Sequence, residues 1–274
     1  MTVRLSDLFA QPKPIIAPVQ LMPLPGSPGF GGSIDAVADA AAEDALALAA
    51  GGVDGLILEN MGDAPFFTDA VPPETVAAMS RAAAAVSAVS DLPFGANVLR
   101  SAARASLAVA QSFGGAFIRV NVLTETYVTD QGLIEGVAAD LLRARRLMGA
   151  EGVAIFADVH VKHAAPLLVR PIRDSALDMV ERGGADVLVV SGPRTGAAAS
   201  VADVEEVADL ADVVLGSGVT AANAREMLAA ADGAIVATAF RPGGDLSQRV
   251  DLRLVEAFMD VVRAIRDGSP ATAP

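Results

Sequence analysis

The segment Phe156-Ala157-Asp158-Val159-His160-Val161-Lys162-His163 contains both histidines of the chain, beside a carboxylate and an amine. In an extended conformation the period of two places Asp158, His160 and Lys162 on one side and Val159 and Val161 on the other. Asp158 suits an acid/base role or a metal ligand. His160 suits either role, since imidazole titrates near neutrality. Lys162 suits a phosphate or carboxylate contact, or a Schiff-base nucleophile if burial lowers its pKa. The plain alternative is an Asp–His or Asp–Lys pair that ties down a loop.

Other polar residues close apolar runs. Glu59 ends one, followed by Asn60 and Asp63. A carboxylate there is costly without a partner, so Glu59 is read as a general base, a metal ligand or the structural partner of Arg119. Arg119, within Phe117-Ile118-Arg119-Val120-Asn121, needs an anion, either Glu59 or a ligand. Glu59, Asp158 and His160 together would form an oxygen-rich divalent-metal site. Their spacing matches no known ligand motif, so no cofactor is assigned. The expected catalytic set is Asp158, His160, Glu59 and Lys162. The expected ligand contacts are Asn60, Asp63, Asn97, Arg119, Asn121, Ser191, Gly192 and Thr195. The loop Leu123–Gly136 is long enough for a lid, with Tyr127 as a ligand contact. The turn Ser191-Gly192-Pro193-Arg194-Thr195-Gly196 reads equally as a ligand-approaching loop or a tight turn.

Two late segments end in small residues: Val213-Val214-Leu215-Gly216-Ser217-Gly218-Val219-Thr220 and Gly233-Ala234-Ile235-Val236-Ala237-Thr238-Ala239-Phe240. In a (β/α)8 barrel the last two strands deliver backbone N–H groups to a phosphate at this point. Gly216, Ser217, Gly218, Thr238 and Ala239 are the expected phosphate contacts.

The elements needed to position these groups recur along the chain. Candidate strands are Ile15–Gln20, Val53–Glu59, Pro93–Leu99, Ala116–Val120, Ala154–His160, Val187–Ser191, Val213–Leu215 and Gly233–Thr238. Ala-rich helical patterns lie between them, and Gly pairs such as Gly51-Gly52 and Gly183-Gly184 close helices. Apolar strands alternating with helices mean a parallel sheet, and eight of them favour an α/β (β/α)8 TIM barrel. An open doubly wound sheet is the alternative, but the dinucleotide fingerprint is missing. The reading is one barrel domain over 1–274, with 265–274 a flexible tail.

Composition narrows the function. The chain is 53% apolar and 19% charged, with a formal charge of -13. Such a chain buries a large core, and the acidic balance argues against nucleic-acid binding. There is no Cys, so disulfides, thiolate catalysis and Cys-ligated metals are excluded. No signal peptide is apparent, and the uncharged stretch 14–34 is too rich in Pro and Gly for a membrane span. A cytoplasmic protein is expected, and its apolar fraction permits a homo-oligomer.

Several longer motifs follow in order: Pro23-Leu24-Pro25-Gly26-Ser27-Pro28, Leu58-Glu59-Asn60 with Asp63-Ala64-Pro65-Phe66, Phe117-Ile118-Arg119-Val120-Asn121, Thr129-Asp130-Gln131-Gly132-Leu133-Ile134-Glu135-Gly136, Val161-Lys162-His163-Ala164 and Gly216-Ser217-Gly218-Val219-Thr220. In these the chain resembles the BtpA/SgcQ family across essentially its whole length. The resemblance implies a barrel of the ribulose-phosphate-binding type. One member is named for photosystem I biogenesis and others for a sugar-metabolism gene cluster. Where the family usually carries His, this chain has Gln20, so no catalytic role is carried to that position. Two functions are therefore expected to compete. One is an enzyme acting on a phosphorylated sugar, nucleoside or related metabolite by lyase, isomerase or glycosyl-phosphate chemistry. The other is a non-catalytic assembly or stability factor that retains a ligand-binding barrel.

Overall fold

In a computed structural model of the protein, which describes residues 3–192 and 194–268, eight parallel strands close into a TIM barrel. The chain runs α1 (Leu5–Leu8), β1 (Ile15–Gln20), α2 (Ile34–Gly51), β2 (Gly55–Glu59), α3 (Pro73–Ser87), β3 (Phe94–Asn97), α4 (Ala103–Ser112), β4 (Phe117–Val120), β5 (Thr126–Thr129), β6 (Gly132–Glu135), α5 (Ala138–Leu147), β7 (Ala154–Val159), β8 (Ala164–Pro166), α6 (Ile172–Glu181), β9 (Val187–Val190), α7 (Val201–Val207), β10 (Asp212–Leu215), α8 (Ala224–Ala230), β11 (Gly233–Ile235) and α9 (Leu252–Arg266). Around the barrel the order is β1-β2-β3-β4-β7-β9-β10-β11, and β11 returns to β1.

Alternation along the strands builds two cores. Inside the barrel Ile16, Ile57, Phe117, Phe156, Val189 and Val214 pack together, with Leu5 and Phe9 from the α1 region joining them. The Phe117 and Phe156 rings stack at 4.5 Å, and Phe9 meets Phe117 edge-on at 6.0 Å. Gly95 makes this possible, because a Cβ there would lie 2.4 Å from the Phe117 ring. The second core fills the space between strands and helices with residues such as Val19, Leu58, Met79, Leu107 and Met259.

Four of the aspartates have work at or near the strand starts. Asp54, Asp186 and Asp232 accept backbone N–H groups of Ile15, Ile155 and Val213, and Asp212 accepts that of Leu5. These carboxylates replace partners that the strand beginnings lack, at the end of the barrel opposite the polar strand ends.

The fold differs from the sequence reading in two places. The loop 123–136 carries the β5–β6 hairpin, and with β8 it forms a three-stranded antiparallel sheet. Tyr127 is buried there with Val122, Ile134 and Val161, so it is a core residue and not a ligand contact. Burial pushes its hydroxyl pKa up, and Glu125 beside it adds to the rise. At the other end, Ile265 and Arg266 complete α9 in place of an expected tail, while 269–274 lie outside the described residues. Among the described residues no helix is long and apolar enough to cross a membrane.

Candidate functional site

Above the aromatic layer the inward-facing positions turn polar. Register sets Gln20 opposite Glu59 and Glu59 opposite Asn97. Arg119 and Asp158 follow Phe117 and Phe156 on the same strand faces. Arg119 is 3% exposed and Asp158 1%. Arg119 grips Asp158 with two bonds, Nε to Oδ2 at 2.9 Å and Nη2 to Oδ1 at 2.8 Å. Its Nη1 lies 3.5 Å from Glu59 Oε1, which also accepts the Asn97 amide at 2.9 Å. Asn121 donates to Asp158 Oδ2 at 2.7 Å. Burial opposes the charge on Arg119, but Asp158 and Glu59 outweigh it and hold its pKa above the ordinary value. Asp158 therefore lies behind Arg119 and lines neither of the mouth cavities described below.

The expected alignment of Asp158, His160 and Lys162 is broken. β7 ends at Val159, and His160 takes a left-handed φ of 51°. Its Nε2 lies 3.3 Å from Ser175 Oγ on α6, outside the barrel wall. The strand period cannot carry side-chain direction past a residue of this conformation. His160 is thus separated from Glu59 and Asp158. Among the described residues no group of three or more His, Asp or Glu is placed to hold a metal ion.

Lys162 does return to the mouth, where its Nζ donates to Gly216 O at 3.3 Å. Burial pushes its pKa down to about 8, Arg119 pushes it further, and Asp158 and Glu59 partly oppose the fall. A substantial neutral fraction exists near pH 8, which suits proton transfer or nucleophilic attack.

Lys162, Glu59 and Arg119 face a cavity of about 40 Å3 walled by the turn Gly216–Val219 and by Ala237–Thr238. The turn requires glycine: a Cβ on Gly216 would stand 2.2 Å from Ser191 Oγ, and one on Gly218 2.2 Å from Ala198 N, at a φ of +75°. The Ser217 hydroxyl is already engaged, accepting from Gly192 N at 3.0 Å and donating to Ala197 O at 2.8 Å. Ala239, expected beside Thr238, does not line the cavity.

The same three side chains, with Met61 and Thr195, border a second cavity of about 490 Å3. Asn97 and Asn121 line it. Arg100, His163 and the hairpin tip Asp130-Gln131 line it too. His163 sits 3.0 Å from Thr195 Oγ1, and burial, Arg100 and Lys162 depress its pKa. Four other expected ligand contacts line neither mouth cavity and bond within the surrounding loops. Asn60 Oδ1 accepts Leu99 N, and Asp63 accepts Leu24 N and the Asn60 amide. Ser191 Oγ approaches Asp158 at 3.5 Å, and Gly192 is held by Ser217. Arg100 escaped the sequence reading because it lies three residues past β3, beyond any alternation.

Comparison with known proteins agrees with this architecture. The model for the BtpA family matches residues 11–264, and the chain belongs to that family. It is 42% identical over 261 residues to the photosystem I biogenesis protein BtpA of Synechocystis sp., covering 94% of this chain and 91% of that one. Among solved structures, phosphoribosyl anthranilate isomerase from Thermus thermophilus superposes with a TM-score of 0.56 at 14% identity, covering 92% of this chain and 99% of that one. The N-acetylmannosamine-6-phosphate 2-epimerase from Clostridium perfringens gives 0.55 at 14% identity, covering 95% and 97%. At such identities the likeness is one of fold.

Proposed function

We propose that this BtpA-family barrel is an enzyme that acts on a phosphorylated small metabolite by proton-transfer chemistry of the isomerase or lyase kind. The observation that carries the reading is one cavity in which the Lys162 amine faces the glycine turn after β10 and the Ala237–Thr238 turn after β11. Gly216 N–H is already bonded to Val190 O at 2.8 Å, so the N–H groups that follow it in this turn, and those of the Ala237–Thr238 turn, are the ones to receive a phosphate. Lys162 and Glu59 are the groups that reach the substrate and exchange protons with it, while Arg119 stabilises developing negative charge. Asp158, Asn97 and Asn121 hold these side chains in place. Two fold relatives, an isomerase and an epimerase, are named for phosphorylated substrates, in keeping with this class.

A thermal-shift screen of sugar and nucleoside phosphates, each beside its dephosphorylated counterpart, tests the proposal. At a hundredfold excess over Kd a true ligand adds about 2.7 kcal/mol of stability, a rise of several degrees that only the phosphorylated member should give. Equal shifts within every pair, or none, would remove the phosphate from the reading.

A second reading, the assembly factor, draws on one feature of the outer sheet. Val128 and its cross-strand partner Leu133 are exposed, and Leu167, Leu168 and Val169 follow directly after β8. Their exposure rises from 47% at Val128 to 84% at Val169, an apolar patch of the kind that marks partner surfaces. If docking is the function, the triple change Leu167→Ser, Leu168→Ser, Val169→Ser should abolish in-cell complementation while ligand-induced thermal shifts persist. Full complementation would remove the patch from consideration.

A further inference from the structure

The larger mouth cavity contains a cation without a matching anion. Arg100 is 7% exposed and lines this cavity. Its Nη2 donates to the carbonyl of Lys162, and its Nε has no acceptor. Among the described residues no carboxylate lies within 4.0 Å of it, whereas the buried Arg119 has two and Arg266 has Asp54. Asp158 and Asp130 act on Arg100 only from a distance. A guanidinium stays charged in proteins, and a buried charge is costly unless paired.

Two neighbours are unsatisfied in the opposite sense. Asn121 and Gln131, which line the same cavity, each keep a buried amide oxygen with no donor. The cavity thus borders a buried guanidinium with no carboxylate bonded to it. It shares Glu59, Arg119 and Lys162 as lining with the glycine-turn cavity.

Building on the phosphate reading above, we propose that Arg100 is an anchor for a second anionic group of the substrate, at the far side of Lys162 from the phosphate. The substrate class is a phosphorylated metabolite that carries a carboxylate or a second phosphate. That second anion receives the planar fork of Arg100.

Calorimetric titration with three probes tests this assignment. Sorbitol 6-phosphate carries one anionic group, 6-phosphogluconate adds a carboxylate to a six-carbon polyol, and fructose 1,6-bisphosphate adds a second phosphate. The wild-type protein should bind at least one doubly anionic probe about tenfold or more tightly than sorbitol 6-phosphate. Arg100→Gln should weaken that probe by roughly 10- to 100-fold, the range for a lost charge-assisted bond. It should leave sorbitol 6-phosphate within about twofold, which also shows that the variant retains its site. Arg100→Lys should fall between, because it keeps the charge and loses the fork. Which doubly anionic probe shows the Arg100-dependent gain identifies the second group. Equal wild-type affinity for all three probes would overturn the assignment, as would an Arg100→Gln loss shared equally by sorbitol 6-phosphate. Failure of all three to bind wild type, alongside a phosphate-dependent shift in the screen above, would overturn this assignment alone, whereas the absence of any such shift in that screen would overturn the phosphate reading and this assignment with it.

Discussion

Replacing Arg119 by methionine is expected to destabilise the protein by about 3–5 kcal/mol, the usual effect of removing one partner from a buried ion pair. The size follows from what remains behind. Asp158 and Glu59 are 1% and 5% exposed. Without Arg119, Asp158 keeps the Asn121 amide and a distant Ser191 hydroxyl, and Glu59 keeps Asn97. Among the described residues neither has another cation bonded to it. Urea unfolding of the wild type and variant at pH 7 measures this directly. The double variant Arg119→Met, Asp158→Leu should regain part of the loss, because one stranded charge is gone. A deficit under about 1 kcal/mol at pH 7, the scale of an exposed pair, would contradict the buried-network account.

The residues of that network were legible in sequence because they still obey strand periodicity. Glu59, Asn97, Arg119 and Asp158 each sit two positions beyond an inward apolar or small residue, within β2, β3, β4 and β7. The barrel itself was legible for the same reason: eight short apolar runs, each bounded by glycine or a polar residue. Information was lost where regular structure stops. His160 and His163 adopt left-handed backbone angles, with φ of 51° and 56°, so the inferred common face of Asp158, His160 and Lys162 dissolved after Val159. Lys162 reached the mouth all the same, through the path of the loop and not through the alternation. Arg100 and the Asp130-Gln131 tip enter the cavity from segments whose direction depends on tertiary packing. The β5–β6 hairpin was missed because its four-residue strands are short, and only Tyr127 and Ile134 turn inward as fully buried residues.

Lys162→Met joins loss of function to a gain in stability. On the proposed function, removing the amine should lower turnover of the metabolite found in the screen by about 100- to 10,000-fold, the contribution of a positioned acid/base group. Stability should move the other way. In the folded protein the Lys162 pKa falls from 10.5 to about 8. A gap of that size corresponds to roughly 3 kcal/mol of penalty at pH 7, where both folded and unfolded chains carry the proton. Methionine has a similar length and no charge to bury. It gives up one bond to Gly216 O at 3.3 Å, so a net gain of about 1–3 kcal/mol at pH 7 is expected. The pH dependence fixes the cause. Between about 8 and 10.5 the unfolded wild-type chain binds more protons at Lys162 than the folded one, so this group's contribution to wild-type stability climbs through that window. The advantage of Lys162→Met should therefore be full below pH 8 and shrink toward zero near pH 10.5. Urea unfolding at pH 7, 9 and 10.5, paired with a turnover assay, reads both effects. A variant that is less stable than wild type at pH 7 would mean that Lys162 is a structural tie to the glycine turn. A variant that is more stable but fully active would place the proton transfer elsewhere. Loss of turnover with a pH-dependent gain in stability is the pattern of a group kept for chemistry at the expense of the fold.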